Sequence, residues 1–496
     1  MEIDNLIPLM VLLSSLLTGI FIFLLGEEQH GSRTLLNLAG AIAKLVLVGI
    51  MIWGVFNEHR YETRFTVLPG LDMVLRADAL SILFVTLSSV LWLLTTIYAV
   101  GYLEGSPNRS RFFGFFSLCV ASTMGISLAG NLFTFFMFYE MLTLTTYPLV
   151  VHRGTGRALA AGSTYLRYTL SGGAVLLIGV TGLHVLAGEV SFTQGGALTS
   201  IGTEHRNSLV VLFALLIAGF GVKAALVPLH GWLPVAMVAP APVSALLHAV
   251  AVVKAGAFGI VRVVHNVYGI ELASNLGLLG PLALAAAFTI LYGSLRALTQ
   301  DELKKRLAYS TVSQIAYIVL GVAVFGPVGT IGGLVHLVHQ GIMKITLFLC
   351  AGNLAETLGI HYIHEMNGVG RRMPWTMAAF TAAALGMIGI PPLAGFITKW
   401  YLGTGAIKAG QPWVIPLLGV SSLLNAAYFL PPLYNAWCKA PLSSRPAASP
   451  YRFETSLMLL IPPVVTALLT LLAGLFAGAP FSPLEWAKLI ASREYR

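Results

Sequence analysis

Long apolar segments recur along nearly the whole chain and are separated by short polar stretches. Each segment is close to the ~20 residues that a helix needs to cross a bilayer. This pattern predicts about fourteen transmembrane helices. The predicted spans are 7–25, 35–56, 79–100, 112–128, 132–150, 163–186, 208–229, 243–264, 275–295, 307–325, 329–354, 375–402, 414–434 and 457–476.

The composition excludes a water-soluble globule. Hydrophobic residues make up 57% of the 496 positions and charged residues only 10%, and the mean hydropathy is +0.83. We therefore predict an all-α polytopic membrane protein. The longest stretches between predicted helices, 57–78 and 355–374, are interpreted as ordinary loops, so one membrane domain is expected.

The net charge of +9 does not point to nucleic acid, because the basic residues lie mostly in short loops. The loops after predicted helices 1, 3, 5, 9, 11 and 13 carry more lysine and arginine than the opposite side. The positive-inside rule then places both termini on the non-cytoplasmic side of a cell (plasma) membrane and the run Lys304, Lys305, Arg306 inside. The N-terminus has no basic region that would mark a cleavable signal.

Two predicted helices, the seventh and the twelfth, are interrupted by proline and glycine in the phrases VPLHGWLP and GIPPLAGF. Broken helices at membrane depth face protein or water, and a matched pair indicates an inverted-repeat transporter. The predicted units are 1–110 (helices 1–3), 111–265 (repeat of helices 4–8), 266–437 (repeat of helices 9–13) and 438–496 (helix 14 and tail). Proline kinks are common in membrane helices, so a chance match is the alternative.

Ionisable side chains lie in the middle of several spans. Glu140, Lys223, Lys254 and Lys399 have this position, and Lys344 lies in another apolar helix. Such groups are expensive in a bilayer and usually mark an ion pathway. Lys223 is the natural partner of Glu140. The pair either forms and separates as protons move, or is a static ion pair that fixes packing.

Histidines accompany these groups and suit a proton shuttle. His230 and His248 flank the first break, and His336, Gln340 and Lys344 fall at i, i+4 and i+8 on one helix stripe, with His339 beside it. A metal site is not expected, because no carboxylate or cysteine lies near the paired histidines. Cys119, Cys350 and Cys438 are isolated, so no iron–sulfur cluster or other cofactor is predicted.

Other polar residues have less specific interpretations. Lys44 is interpreted as a packing or lipid-contact residue, and Arg167 as lying near a membrane face. The phrase HYIHE, 361–365, is interpreted as a solvated loop. The polar side of the tenth helix could hold water or make helix–helix hydrogen bonds; it comprises Ser310, Thr311, Ser313 and Gln314.

Five phrases in order resemble one known family. They are FYEMLTLTTYPLV, LVPLHGWLPVAMVAPAPVSALLHAVAVVKAG, DELKKRLAYSTVSQIAYIVLG, HQGIMKITLFLCAGNL and IPPLAGFITKW. The chain resembles, over roughly 75–430, the proton-conducting antiporter-like subunits shared by the multiple-resistance-and-pH (Mrp) cation/proton antiporters, respiratory complex I and membrane-bound hydrogenases. The resemblance implies fourteen helices with two inverted five-helix repeats and a line of buried ionisable groups.

The resemblance also implies a role for each matching residue. Glu140 matches the glutamate of the fifth helix, Lys223 its partner lysine on the seventh, Lys254 the central lysine on the eighth and Lys399 the exit-side residue of the broken twelfth. His336, His339 and Lys344 match the linking segment on the eleventh. The chain has Val235 and Met237 where many members carry an acid and a histidine. Its size and the phrase GFITKW resemble the D-type subunit, although VSALLHA resembles the longer A-type and distal subunits.

The expected function is therefore proton translocation within a hetero-oligomeric membrane complex, with an Mrp subunit of D type favoured. The alternative is the equivalent subunit of a hydrogenase or complex I-type enzyme, whose redox chemistry belongs to other chains. A packing scaffold and a solute transporter are also considered. Hard cations need several oxygen ligands, and Glu140 is the one carboxylate predicted at mid-membrane, so any sodium route is expected in a partner subunit.

Overall fold

The computed structural model describes residues 3–201, 205–441 and 453–495. A helix lies at each predicted span within these residues. The α-helices are α1 (Ile7–Phe23), α2 (His30–Phe56), α3 (Ala79–Tyr102), α4 (Arg109–Leu128), α5 (Leu132–Val150), α6 (Gly156–Ala187), α7 (Arg206–Lys223), α8 (Trp232–Val235), α9 (Ala241–Ala249), α10 (Val252–Arg262), α11 (Ile270–Asn275), α12 (Leu279–Leu298), α13 (Leu303–Ala323), α14 (Pro327–Leu358), α15 (Val369–Arg372), α16 (Pro374–Ile388), α17 (Ala394–Lys408), α18 (Val414–Cys438), α19 (Leu457–Leu475) and α20 (Pro483–Glu494).

Among the residues that the structure describes, ten helical segments are long and apolar enough to cross a membrane, and α1 and α16 are shorter apolar helices. The prediction of a helical, polytopic membrane protein is confirmed. The count of fourteen spans and the division into repeats stay predictions. Part of the predicted unit 438–496, residues 442–452 and 496, lies outside the described residues.

The prediction of an ordinary loop at 57–78 is wrong, because this segment contains an antiparallel hairpin of β1 (Tyr61–Leu68) and β2 (Leu71–Ala77). Pro69 and Gly70 supply the turn, and Gly70 has φ +79, which a glycine adopts without strain. The hairpin joins the N-terminal end of the protein, since Thr63 donates a hydrogen bond to the Asn5 carbonyl. It also joins the start of α5, since Gly130 N donates to Val74 O at 2.8 Å.

The two predicted helix interruptions are present. The first helix ends at Lys223 and irregular chain follows until α8, and the second break separates α16 from α17. The structure has a third break that the sequence did not predict, at Val250 and Ala251, which divides the predicted eighth span into α9 and α10. Lys254 consequently lies in the first turn of a helix rather than in its middle. The end of α10 continues as a π-helical turn, Val263–Tyr268.

Helix α14 is the centre of the packing, where α3, α9, α13, α16, α17, α19 and α20 all contact it. Its most apolar window and that of the segment Ala241–Tyr268 are entirely buried inside the protein. The helices that carry most of the predicted site residues are therefore surrounded by protein. The structure also adds α20, an amphipathic helix that begins at Pro483 and is capped by Ser482. Its Trp486 donates a hydrogen bond to Ala79 O at 2.7 Å.

Candidate functional site

Lys223 is the last residue of α7, and its ammonium lies against α5. The amine donates a hydrogen bond to the Tyr139 carbonyl and lies 3.4 Å from the centre of the Tyr139 ring. Lys223 is fully buried. A cation at a helix C-terminus is stabilised by the helix dipole, and the ring face adds a cation–π contact. The break after Lys223 is thus what gives this lysine a favourable position.

Glu140 lies one residue beyond that carbonyl, yet it forms no direct ion pair with Lys223. Within the described part of the chain, no carboxylate oxygen lies within 4.0 Å of the Lys223 amine. The buried Glu140 Oε1 also has no hydrogen-bond partner among the described residues. The carboxylate packs on Gly173 of α6, where any Cβ would collide with it. The static ion pair considered from the sequence is therefore not present.

His230 lies at the first break as predicted, whereas His248 lies on α9, two residues before the third break; both pack against aromatic rings. His230 packs at 5.0 Å from Tyr292 and 6.2 Å from Tyr309, measured between ring centres. His248 stacks on Phe348 with ring centres 4.4 Å apart. In the described structure, His230 Nδ1 and both ring nitrogens of His248 make no hydrogen bond. Buried polar atoms normally have partners, so these nitrogens are candidates for contact with water.

Lys254 joins α10 to α14. It is fully buried, and its amine donates to Leu337 O at 2.6 Å. Leu337 is the residue after His336, whose two ring nitrogens, like both side-chain polar atoms of Gln340, have no partner among the described residues. A set of unpaired polar groups thus follows Lys254 along α14.

The predicted stripe on α14 is confirmed as a geometric feature, because this helix is unbroken from Pro327 to Leu358. His336, Gln340 and Lys344 are buried on it, about 12 Å from the first to the last. His339 faces the second broken helix instead, and its Nδ1 lies 3.2 Å from the Thr398 hydroxyl on α17. The stripe and His339 therefore contact different neighbours.

Lys344 begins a hydrogen-bonded chain that the sequence did not reveal. Its amine donates to Ser310 Oγ at 2.7 Å and to Leu307 O at 3.1 Å. Ser310 Oγ lies 2.8 Å from the Tyr428 hydroxyl, which donates to Asn425 Oδ1 at 2.7 Å. Ser310 thus links Lys344 to helix α18. Ser310 lies on α13, which corresponds to the tenth predicted span, so for this residue the polar side of that span makes helix–helix hydrogen bonds.

Lys399 completes the set at the second break. Its amine donates to Ile388 O at 2.5 Å and to Ser422 Oγ at 2.7 Å. Ile388 is the last residue of α16, and Asn425 donates to the preceding carbonyl, Met387 O, at 3.2 Å. The chain that starts at Lys344 therefore reaches the backbone beside Lys399.

Comparison with known proteins identifies the family. Residues 129–425 match the model described as "NADH:quinone oxidoreductase/Mrp antiporter, TM", and 69–113 match the complex I chain 5 N-terminal model. The chain belongs to this family. The first match contains all of the predicted site residues.

Relatives from different complexes are similar over most of the chain. NADH-quinone oxidoreductase subunit N of Desulforudis audaxviator is 35% identical over 422 residues, which are 82% of each protein. The D-type subunit of the Na(+)/H(+) antiporter of Bacillus subtilis is 28% identical over 476 residues, 95% of this chain and 94% of the relative. A chain of the Mrp complex from Dietzia sp. DQ12-45-1b superposes with a TM-score of 0.85 at 26% identity, covering 100% of this chain and 98% of that one.

Other predicted polar residues of this family member lie away from the line of buried groups. Lys44 does not contact lipid, because it is fully buried; it donates to Ser15 Oγ at 2.8 Å and lies 4.0 Å from the centre of a Trp92 ring. Arg167 is exposed on α6. In the HYIHE loop, Glu365 accepts hydrogen bonds from the backbone at His361 and Tyr362.

The residues that sequence reasoning missed are mainly on α18. Ser421, Asn425 and Tyr428 fall at i, i+4 and i+7, so they share one face of the helix. Tyr317 donates to Ser421 Oγ at 2.6 Å, which ties this face to α13. Hydroxyl and amide groups at that spacing inside an apolar span indicate a polar helix face. They are easily overlooked in a sequence because they carry no charge.

Proposed function

We propose that this chain is a proton-translocating subunit of a multisubunit membrane complex, with the role of the D-type subunit of an Mrp-type Na⁺/H⁺ antiporter. One observation carries the proposal. Lys223, Lys254 and Lys344 are fully buried, and polar atoms without partners among the described residues lie on helices that these lysines contact or belong to. Ionisable groups at such depth mark ion pathways.

The proposed route uses the residues predicted from the sequence. Glu140 and Lys223 form the first station, and Lys254 the central one. His336, His339 and Lys344 link it to Lys399. His230 and His248 are placed beside the route in a lesser role. The bonds found for Lys254, Lys344 and Lys399 go to carbonyl and hydroxyl oxygens, and none of the carboxylates that the structure describes lies within 4.0 Å of them.

Water is the proposed connection between these stations. The hydrogen bonds found for the relay side chains go to other groups and not from one relay side chain to the next, so the proton must cross gaps. The unpaired atoms of His248, His336, Gln340 and Gln314 are placed to bind such water, because buried waters typically satisfy polar groups that lack other partners. We infer that ordered water and these side chains alternate along the route.

The repeat boundaries, orientation and location belong to the same proposal. Units 111–265 and 266–437 are proposed as inverted repeats, each with one of the two predicted breaks and a lysine beside it. The orientation from the loop charges places both termini on the non-cytoplasmic face of the plasma membrane. Any sodium route is assigned to a partner subunit, since hard cations need several oxygen ligands.

Substitution of Lys254 tests the proposal. In vesicles that contain the assembled complex, Lys254→Met should lower proton transport by about 100-fold, the scale of losing one proton-transfer group. Lys408→Met is the matched control, because Lys408 is exposed at the end of α17. Both variants should co-purify with the partner subunits. Normal transport in Lys254→Met would favour the scaffold alternative. Loss of assembly, with normal transport by the complex that still assembles, would favour it as well.

The second candidate is an antiporter-like subunit of a complex I-type or hydrogenase enzyme. The relative that favours it is the NADH-quinone oxidoreductase protein, which is 35% identical. Co-purification from native membrane separates the two. Small antiporter subunits alone would support the Mrp-type assignment, whereas iron–sulfur or nickel proteins would support the redox-driven one.

A further inference from the structure

A second cluster of ionisable groups lies at the end of α10, away from the stations described above. Lys254, Phe258 and Arg262 are spaced at i, i+4 and i+8, so they share one face over about 12 Å. Arg262 is 1% exposed and binds both carboxylate oxygens of Asp78, at 2.7 and 3.0 Å. It also donates to Asn266 Oδ1 at 2.9 Å. The face that carries Lys254 therefore ends in an ordered polar cluster.

Glu494, the last residue of α20, and the following Tyr495 contact both helices of the central route. Glu494 Oε1 accepts a hydrogen bond from Asn266 Nδ2 at 2.9 Å, on the continuation of α10. The Tyr495 hydroxyl lies 2.8 Å from Thr330 Oγ1, in the first turn of α14. Thr330 precedes His336 by six residues, which is about 9 Å along a helix. One short segment thus touches the ends of the helices that carry Lys254 and His336.

A buried histidine lies in the same place without a defined function. His265 is 2% exposed, and neither of its ring nitrogens has a hydrogen-bond partner within the described residues. Its ring centre is 6.3 Å from that of Tyr495. Two unpaired ring nitrogens next to the Tyr495 ring, one residue after Glu494, indicate that this cluster receives a small polar species.

The cluster opens to a cavity of about 590 Å³ at the surface. Glu494, Asp78 and Asn266 line its inner end, and exposed residues of the α2–β1 connection, including Glu58 and Arg60, line its outer end. Arg76 and Arg493 also line it. The volume is large enough for many waters, so Glu494 has a route to the aqueous phase.

The surroundings of Glu494 favour exchange of its proton near neutral pH. Burial is the main cause that raises the pKa of Glu494 to about 7, and the charge of Asp78 acts in the same direction, against the opposing effects of Asn266, Arg262 and the Gly195 N–H. For Asp78, burial also acts to raise the pKa, but the charge and hydrogen bonds of Arg262 hold it below the ordinary value. Asp78 therefore stays ionised while Glu494 titrates.

We propose that Glu494 is a proton-loading site that exchanges protons between this cavity and the central route. The proposal rests on the proton-translocating function proposed above. A proton from water in the cavity converts the Glu494 carboxylate to the neutral acid. Release of this proton toward His265 and α14 restores the carboxylate, and the step is reversible. The alternative is that Glu494 only anchors α20 through Asn266.

Glu494→Gln is the direct test, since glutamine keeps the acceptor for Asn266 but does not titrate. In vesicles that contain the complex, we expect transport to fall by about tenfold, and its dependence on the pH of the cavity side to flatten between about 6 and 8. Glu485→Gln on the same helix is the control, because Glu485 pairs with Lys488 at the surface and should behave as wild type.

Asn266→Ala separates proton loading from anchoring. It removes the bond to α20 but leaves the carboxylate, and because that bond lowers the pKa of Glu494, the midpoint of the transport profile should move to higher pH. An unmoved midpoint would overturn the proposal, even if Glu494→Gln failed to assemble. A wild-type transport rate and pH profile in Glu494→Gln would also overturn the proposal. If Lys254→Met still lost transport in that case, the translocating function proposed above would be retained.

Discussion

The two breaks place a lysine ammonium at the same kind of position but surround it differently. Lys223 is the last residue of α7, and the Lys399 amine reaches the carbonyl of Ile388, the last residue of α16. Both charges therefore lie at the negative end of a half-helix dipole. An aromatic ring lies near the lysine in both regions, but in the first the other close group is the Glu140 carboxylate, whereas in the second it is the neutral Ser422 hydroxyl.

This difference indicates how each region stabilises a buried cation. Around Lys223, a change in the charge of Glu140 alters the field at the lysine directly. Around Lys344 and Lys399, hydroxyl and carbonyl dipoles provide the stabilisation, and these do not change their charge. The first region is thus suited to sense a charge, and the second to pass a proton along a fixed chain of oxygen atoms.

The largest effect should come from removing the cation that starts the hydroxyl chain. Lys344→Met should lower proton transport in vesicles by about 100-fold, because it removes one transfer group from a series. Lys44→Met is a matched control, since Lys44 is an equally buried lysine bonded to a serine, but on α2. We expect Lys44→Met to retain transport within about twofold. Equal losses in both variants would show that any buried lysine has this effect and that the chain is not special.

Next in size is the effect of the hydroxyl chain itself. Tyr428→Phe removes the link between Ser310 and Asn425, and transport should fall by about tenfold. The free energy of unfolding should fall by only about 1 kcal/mol, the usual contribution of such a hydrogen bond. Transport is measured in vesicles and stability by thermal denaturation of the purified complex.

Tyr434→Phe on the same helix is the control for this variant, because Tyr434 is 59% exposed. It should change neither quantity. If Tyr428→Phe transports normally while the Lys344 variant does not, the proton leaves Lys344 by another path and the contrast between the two regions fails.

The charged members of the site could be predicted from the sequence because a charge inside an apolar span is conspicuous. Glu140, Lys223, Lys254, Lys344 and Lys399 all stand out in this way. The hydrogen-bond partners of these charges could not be predicted. Lys254 binds a backbone carbonyl and Lys344 binds a serine, and neither acceptor differs in sequence from ordinary packing residues.

The missed secondary structure has physical causes of a similar kind. The third break, at Val250 and Ala251, contains neither proline nor glycine, so tertiary packing rather than local preference ends α9 there. The hairpin after α2 alternates apolar and polar residues about a Pro-Gly turn, a short signal that the surrounding spans obscured. Helix α20 is too short and too polar for a span, and its role depends on contacts with distant residues.

The smallest effect concerns the position of the acid in the first region. A Cβ at Gly173 would collide with the Glu140 carboxylate, so Gly173→Ala should push it from its rotamer at a cost of about 1 kcal/mol. Transport should fall about fivefold, the factor that such an energy represents. Alanine also favours a helix over glycine by about 1 kcal/mol, so thermal stability should not fall. Gly49→Ala, where nothing lies within 4 Å, should transport normally, and equal transport in both variants would show that the carboxylate position is unimportant.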